Sequence, residues 1–226
     1  MVEYNKVLVF QYGKVASTSI RCSDSNSKYC PSIQETYKEK IIQTHSHIVT
    51  KDILSKYKNI LVINIIRLPI YRNISAFFEN IHSLCENYNQ LSINEIIQNY
   101  EKQKLYSVSN LDSWMYGFFK IFNIDIDNFK FDKINKYNKL TLNGNDILLF
   151  RFEDFEYISS NILPKYNIFI NKKKNISSEK SYAELYKTFK EIYKINDFEK
   201  EKIINSKITN IYYSKEEILE HIKKCS

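Results

Sequence analysis

Glycine and proline are nearly missing from this chain, with three of each in 226 residues. That excludes a collagen-like or low-complexity polymer, and it leaves no Gly- or Pro-rich stretch to serve as an interdomain linker. Four cysteines, Cys22, Cys30, Cys85 and Cys225, contain no C-x-x-C pair and have no histidine at zinc-finger spacing, so neither a metal site nor a disulfide framework is indicated. Free thiols in a reducing cytoplasm are the expectation, although Cys22 and Cys30 could pair in an oxidising compartment. No apolar run approaches the roughly 18 residues of a membrane span. The opening MVEYNKVLVFQYGK is interrupted too early to read as a signal peptide. The reading is therefore a soluble, cytoplasmic protein without a transmembrane segment. A concentrated basic arm is also lacking: the net charge of +7 is shared almost evenly between the two halves of the chain. No nucleic-acid partner is expected from so diffuse a charge. It suits a few cations aimed at a small anionic ligand or an acidic polymer. The densest cluster, Lys172-Lys173-Lys174, reads as a solvated loop.

What is present is the composition of a folding domain. Hydrophobic residues make up 43% and charged residues 26%, which excludes a disordered chain. Heavy use of Asn, Ile, Lys and Tyr along the whole chain reads as genome composition. Three short apolar runs, Val7 to Phe10, Ile60 to Ile66 and Ile147 to Phe150, lack strict alternation, as strands covered on both faces do. A weaker fourth spans Ile41 to Val49. Three- and four-residue apolar spacing predicts helices over Ile70 to Asn89, Ser92 to Leu105, Asp112 to Asn123, Tyr182 to Tyr193, Phe198 to Ile208 and Lys215 to Ile222. Strands alternating with helices predict βαβ units, and hence an α/β three-layer sandwich around a parallel sheet. One domain over residues 1–226, with a helical C-terminal third packed on the sheet, is expected.

In such a fold ligands bind at the carboxyl ends of the strands. The first run delivers Gln11-Tyr12-Gly13-Lys14-Val15-Ala16 to that edge, and Ser17-Thr18-Ser19 then opens a helix. Backbone N–H groups, the Lys14 charge and three hydroxyls are what a phosphate needs. Gly13 and Ala16 keep the backbone accessible. Val15 after the lysine and the missing second glycine separate the stretch from the nucleotide-kinase pattern G-x-x-x-x-G-K-[ST]. The second run ends in Arg67, with Pro69 at a helix start and Arg72 and Ser75 following within that helix. This predicts a second anion pocket beside the first.

These residues resemble the sulfotransferase superfamily, whose donor is 3'-phosphoadenosine 5'-phosphosulfate (PAPS). GKVASTS is similar to the 5'-phosphosulfate loop of the heparan and uronyl 2-O-sulfotransferases, with Gly13 where proline is usual. RLPIYRNISAFF, residues 67–78, is similar to their 3'-phosphate motif, with Leu68 where an acidic residue is usual. THSHIV, residues 44–49, resembles their H-x-H segment, and Trp114 through DILLFRFEDF resembles bacterial proteins of capsular polysaccharide synthesis. The resemblance implies a P-loop-like sulfotransferase fold and transfer of a sulfuryl group from PAPS to a hydroxyl of a carbohydrate acceptor, with no metal expected. It implies Lys14 on the leaving phosphate, Gly13, Ala16, Ser17, Thr18 and Ser19 around the phosphosulfate, and Arg67, Arg72 and Ser75 toward the 3'-phosphate. His47 is the favoured base, with His45 as orienter or substitute; on an extended segment the two would share a face. Glu153 and Asp154 follow the last strand, and Asp154 reads as a helix N-cap. Trp114 and Tyr116 read as core or groove aromatics. A small-molecule kinase with a degenerate loop and a non-catalytic nucleotide- or glycan-binding module of the same fold are the alternatives.

Overall fold

Val, Ile and Leu fill both faces of the central strands, and a strand apolar on both faces is stable only with cover on each side. The computed structural model describes residues 3–13, 17–21, 40–103, 108–170 and 179–225. The Lys172-Lys173-Lys174 run, Cys22 and Cys30 lie outside them. The chain divides into two compact units, Met1–Arg67 with Gly117–Asn175, and Leu68–Tyr116 with Ile176–Ser226.

The first unit holds a five-stranded sheet in the order β2-β1-β3-β5-β4. The strands are β1 (Lys6–Phe10), β2 (Ile41–Thr44), β3 (Ile60–Ile66), β4 (Tyr137–Leu142) and β5 (Asn145–Arg151). β2, β1, β3 and β5 pair in parallel, with Phe10 opposite Thr44, Val9 opposite Ile63 and Ile66 opposite Arg151. Only β4 runs antiparallel. On one face Val7, Val9, Ile41, Leu61, Ile63, Ile65, Leu148 and Phe150 meet Ile20 of α1 (Ser17–Arg21) and Phe155 and Ile158 of α7 (Phe155–Asn161). On the other, Phe10 packs against His47 at the start of α2 (His47–Lys56) and against Phe118, near the end of α6 (Val108–Ile121). All seven residues of β3 are buried. At about 1.5–3 kcal/mol for each buried Ile, Leu or Val, this strand is a main contributor to the core.

The second unit is helical: α3 (Pro69–Glu79), α4 (Ile81–Leu84), α5 (Ile93–Lys102), most of α6, α8 (Ala183–Ile192), α9 (Asp197–Asn205), α10 (Lys207–Tyr212) and α11 (Lys215–Lys224). Side-chain caps divide it. Ser92 with Glu95, and Ser214 with Glu217, form capping boxes, while Asn196 and Ser206 cap α9 and α10. A cluster of Phe77, Phe78, Tyr100, Tyr182, Tyr186, Phe189 and Tyr193 forms its core, mostly edge to face.

Several expectations change. The fourth apolar run stays extended only to Thr44, because the Ser46 Oγ accepts from the Val49 N–H and starts α2. The long helix expected over Ile70 to Asn89 breaks at Asn80, whose backbone N–H turns back to the Phe77 carbonyl while its side chain donates to Ala76 O. β4 and α2 were not anticipated, whereas α7 begins directly after Asp154, where a helix start was expected. Asp154 stands at the start of α7 but makes no side-chain cap; its carboxylate accepts from Arg151 Nε at 2.6 Å instead. A charge-assisted bond to a buried guanidinium outcompetes a backbone amide for the same oxygen.

Asparagine takes over part of glycine's usual work. Among the described residues, Asn59, Asn87, Asn123, Asn143 and Asn167 hold positive φ, with Lys136, Gly13 and Gly144. Asn143 and Gly144 form the β4–β5 turn at φ 52° and 72°, both positive, which matches the twist of paired strands.

Candidate functional site

The carboxyl ends of β2, β1, β3 and β5 lie side by side, and each carries a polar residue onward: His45 after β2, Gln11 after β1, Arg67 after β3 and Arg151 ending β5. Asn64, fully buried on β3, ties the edge together by donating from Nδ2 to the Phe10 carbonyl at 2.8 Å. That bond holds the last residue of β1 where the chain turns toward Gly13.

Gln11 organises the turn. Its side-chain oxygen accepts the Gly13 N–H, and its backbone carbonyl lies 2.7 Å from His45 Nδ1. A carbonyl oxygen can only accept, so Nδ1 of His45 carries the proton and the basic lone pair resides on Nε2. Gln11 Nε2 approaches the same ring nitrogen at 3.2 Å. The shorter carbonyl contact decides the tautomer, since the opposite assignment would set two lone pairs 2.7 Å apart. His45 is exposed, and its imidazole is held through Nδ1. Gly13, at φ 90°, lies against it: a Cβ at Gly13 would sit 3.8 Å from His45 Cε1.

His47 is placed differently. It is the first residue of α2, its ring stands edge-on to Phe10 with centroids 5.3 Å apart, and its Nε2 faces Gly117 on α6. A Cβ at Gly117 would fall 2.4 Å from that nitrogen, so the mid-helix glycine exists to admit the ring. The two histidines do not share a strand face, because Ser46 between them ends the extended segment and caps the helix.

Arg67 has no acidic neighbour in sequence, yet its guanidinium is oriented. It lies over the Phe152 ring with Cζ 4.4 Å from the centroid, a cation–π contact that fixes the plane of the fork. Sequence reasoning placed Gln11 at the edge without giving it a role, and missed Asn64, Gly117 and Phe152 as parts of it. Only the rarity of glycine, which makes each one informative, pointed toward Gly117.

Of the remaining expected residues, Ser17 opens α1, Thr18 is half-buried and Ser19 is buried on the same helix. Lys14 and Ala16 lie outside the described residues. Arg72 and Ser75 are both on α3 of the helical unit. Arg72 is buried and donates from Nη1 to Asn73 Oδ1 at 3.0 Å, whereas Ser75 is half-buried. Trp114 is buried and Tyr116 exposed. Among the described residues no group of three or more His, Cys, Asp or Glu side chains gathers as metal ligands, and no helix is long and apolar enough to cross a membrane. No protein-family model, curated protein or solved structure matches the chain.

Proposed function

We propose that this protein transfers a sulfuryl group from PAPS to a hydroxyl of a carbohydrate, on a three-layer, P-loop-like fold. The observation that carries the reading is the joining of turn and base: the carbonyl that fixes the His45 tautomer belongs to Gln11, which also holds the Gly13 amide of the turn leading to Lys14 and α1. An acceptor hydroxyl needs a base close to the donor's reactive end, and one residue ties those two parts together. PAPS supplies the activated sulfuryl group. His45 Nε2 takes the acceptor's proton as its oxygen bonds to sulfur. Lys14 stabilises the charge that collects on the phosphate oxygen as the S–O bond to it breaks. Arg67, held flat on Phe152, offers a planar two-donor fork to a phosphate at the neighbouring strand end. His47, engaged with Phe10 and Gly117, supports the edge as a packing residue.

Calorimetry with 3'-phosphoadenosine 5'-phosphate and a transfer assay on a glycan panel test the proposal. Binding is expected, weakened by Lys14→Ala and by Arg67→Ala. His45→Ala is expected to leave binding intact and lower transfer by roughly 10²–10⁴-fold. Absent binding, or binding indifferent to both Lys14→Ala and Arg67→Ala, rejects it. Mg²⁺-dependent ATP hydrolysis would favour the kinase reading, and binding without transfer the non-catalytic module.

A further inference from the structure

Unused hydrogen-bonding groups are rare in a packed interior, and two lie together in the helical unit. Tyr100 is 9% exposed and Tyr193 is 5% exposed, and neither hydroxyl has a hydrogen-bond partner among the described residues. Both line a cavity of about 430 Å³ between α3, α5 and α9, within the roughly 300–1,000 Å³ range of small-molecule sites. The rings are locked in place. They pack edge to face with centroids 5.2 Å apart, Tyr193 stacks on Phe189 at 5.0 Å, and Tyr100 abuts Phe77 at 5.3 Å. Tyr182, in the same aromatic cluster, shows what a buried phenol ordinarily does, donating to Glu79 Oε2 at 2.7 Å. Tyr100 and Tyr193 instead keep two oxygens with unused lone pairs on the cavity wall.

The charged part of the lining is acidic. Glu101 and Glu199 stand against Lys202 alone, and Lys202 is already engaged, with Nζ 4.0 Å over the Phe198 ring and 3.7 Å from Glu199 Oε1. Glu101, exposed near the end of α5, has no ion-pair partner among the described residues. One negative charge is left over. It reaches the phenols: after burial itself, Glu101 and then Glu199 push the Tyr193 hydroxyl above its ordinary value. Burial also leads at Tyr100, where Tyr193 and Glu199 add to it and Arg72, outside the lining, opposes it. Both phenols stay neutral, and their oxygens can accept. An anion would be repelled here, and an alcohol would leave the surplus carboxylate without a counter-charge. A primary ammonium carries one charge and three donors, which matches one surplus carboxylate and two phenol oxygens. Ile70, Val108, Ile195 and Ile203, all buried, provide apolar wall for the hydrocarbon that carries it.

We infer that this cavity is a binding site for a primary alkylammonium ion, its charged end held by Glu101 and the hydroxyl oxygens of Tyr100 and Tyr193 and its chain laid against Ile70, Val108 and Ile203. The inference does not rest on sulfuryl transfer, because every residue of the site belongs to the unit that lacks the sheet. Saturation-transfer NMR and calorimetric titration of the full chain with n-pentylammonium, 1-pentanol and pentanoate test it, in phosphate buffer at pH 7 because Tris is itself a primary ammonium. Saturable millimolar binding of n-pentylammonium is expected, at least about 5-fold tighter than either the alcohol or the carboxylate of the same length. Tyr193→Phe should weaken it by about 3–10-fold, the loss of one hydrogen bond, without lowering the melting temperature, since that hydroxyl bonds to nothing in the fold. Glu101→Gln, at an exposed position, should weaken it by about 2–5-fold, and Lys202→Met, which releases Glu199, should tighten it by a similar factor. Lys14→Ala should leave it unchanged, which separates failure here from failure at the sheet edge. Absence of saturable binding, equal or tighter binding of 1-pentanol or pentanoate, indifference to both Tyr193→Phe and Glu101→Gln, or a loss of affinity in Lys202→Met overturns the inference.

Discussion

Gly117→Ala puts the packing of the sheet edge to a quantitative test. In the interior of a helix, replacing glycine by alanine normally stabilises by about 1 kcal/mol, because the backbone of the unfolded chain is restrained. Here the new methyl would lie 2.4 Å from His47 Nε2, 2.9 Å from Cδ2 and 3.0 Å from Cε1, roughly an ångström inside ordinary contact. The ring cannot retreat freely, since Phe10 stands behind it with centroids 5.3 Å away. Overpacking of this kind costs about 1–3 kcal/mol, so the usual gain is cancelled or reversed. In a His47→Ala background the obstacle is gone, and Gly117→Ala should recover its stabilisation of about 1 kcal/mol. The coupling between the two positions is then about 1–3 kcal/mol, and the cycle cancels whatever else His47 holds in place. Denaturant unfolding of the four proteins measures it. If Gly117→Ala stabilises equally with and without the imidazole, the placement of His47 against α6 is wrong, and with it the argument that assigns this residue to packing.

Further outcomes follow from other contacts. Phe152→Leu should weaken binding of 3'-phosphoadenosine 5'-phosphate about 3–10-fold by calorimetry, through loss of the surface that flattens Arg67. Burial pushes the Asp146 carboxyl up, but bonds from Lys139 Nζ at 2.8 Å, Thr141 Oγ1 at 2.6 Å and the Tyr4 hydroxyl outweigh it and hold Asp146 below the usual carboxylate range. Because the folded value lies under the unfolded one, near 3.9, its stabilisation is present above about pH 5 and is lost as pH falls through the folded value. Asp146→Asn should therefore lower the melting temperature at pH 7 and narrow its gap to wild type as pH falls toward 3; a constant gap refutes the assignment. Gly144→Ala meets no neighbouring atom, so its cost is conformational strain alone, about 1–2 kcal/mol, or roughly 2–8 °C in a thermal melt.

The parallel core was legible because β1, β3 and β5 are apolar on both faces, a pattern that few alternatives produce. β4 alternates weakly and is half-exposed, so its composition gave little; the Asn143-Gly144 pair before Asn145 was the missed signal, since it demands a two-residue hairpin. α2 was hidden because its apolar residues continue the Ile41 run, and only the cap at Ser46 separates the two. At the site, the order of the elements put His45, Gln11 and Arg67 at one edge. Which nitrogen of His45 carries the proton depends on a backbone carbonyl, and backbone direction leaves no mark on side-chain pattern. Arg67 posed the same difficulty in reverse: its support comes from Phe152, distant in sequence, where a neighbouring acid was the sequence signal sought.

The left-handed asparagines have a consequence for the denatured chain. An asparagine reaches positive φ with less strain than other residues bearing a Cβ, yet it explores far fewer backbone states than glycine once the protein unfolds. Five such positions therefore make the turns of this fold a little tighter to adopt, and the random ensemble that competes with it appreciably smaller. Asparagine at these turns thus gives the fold cohesion without adding a single contact to the folded state.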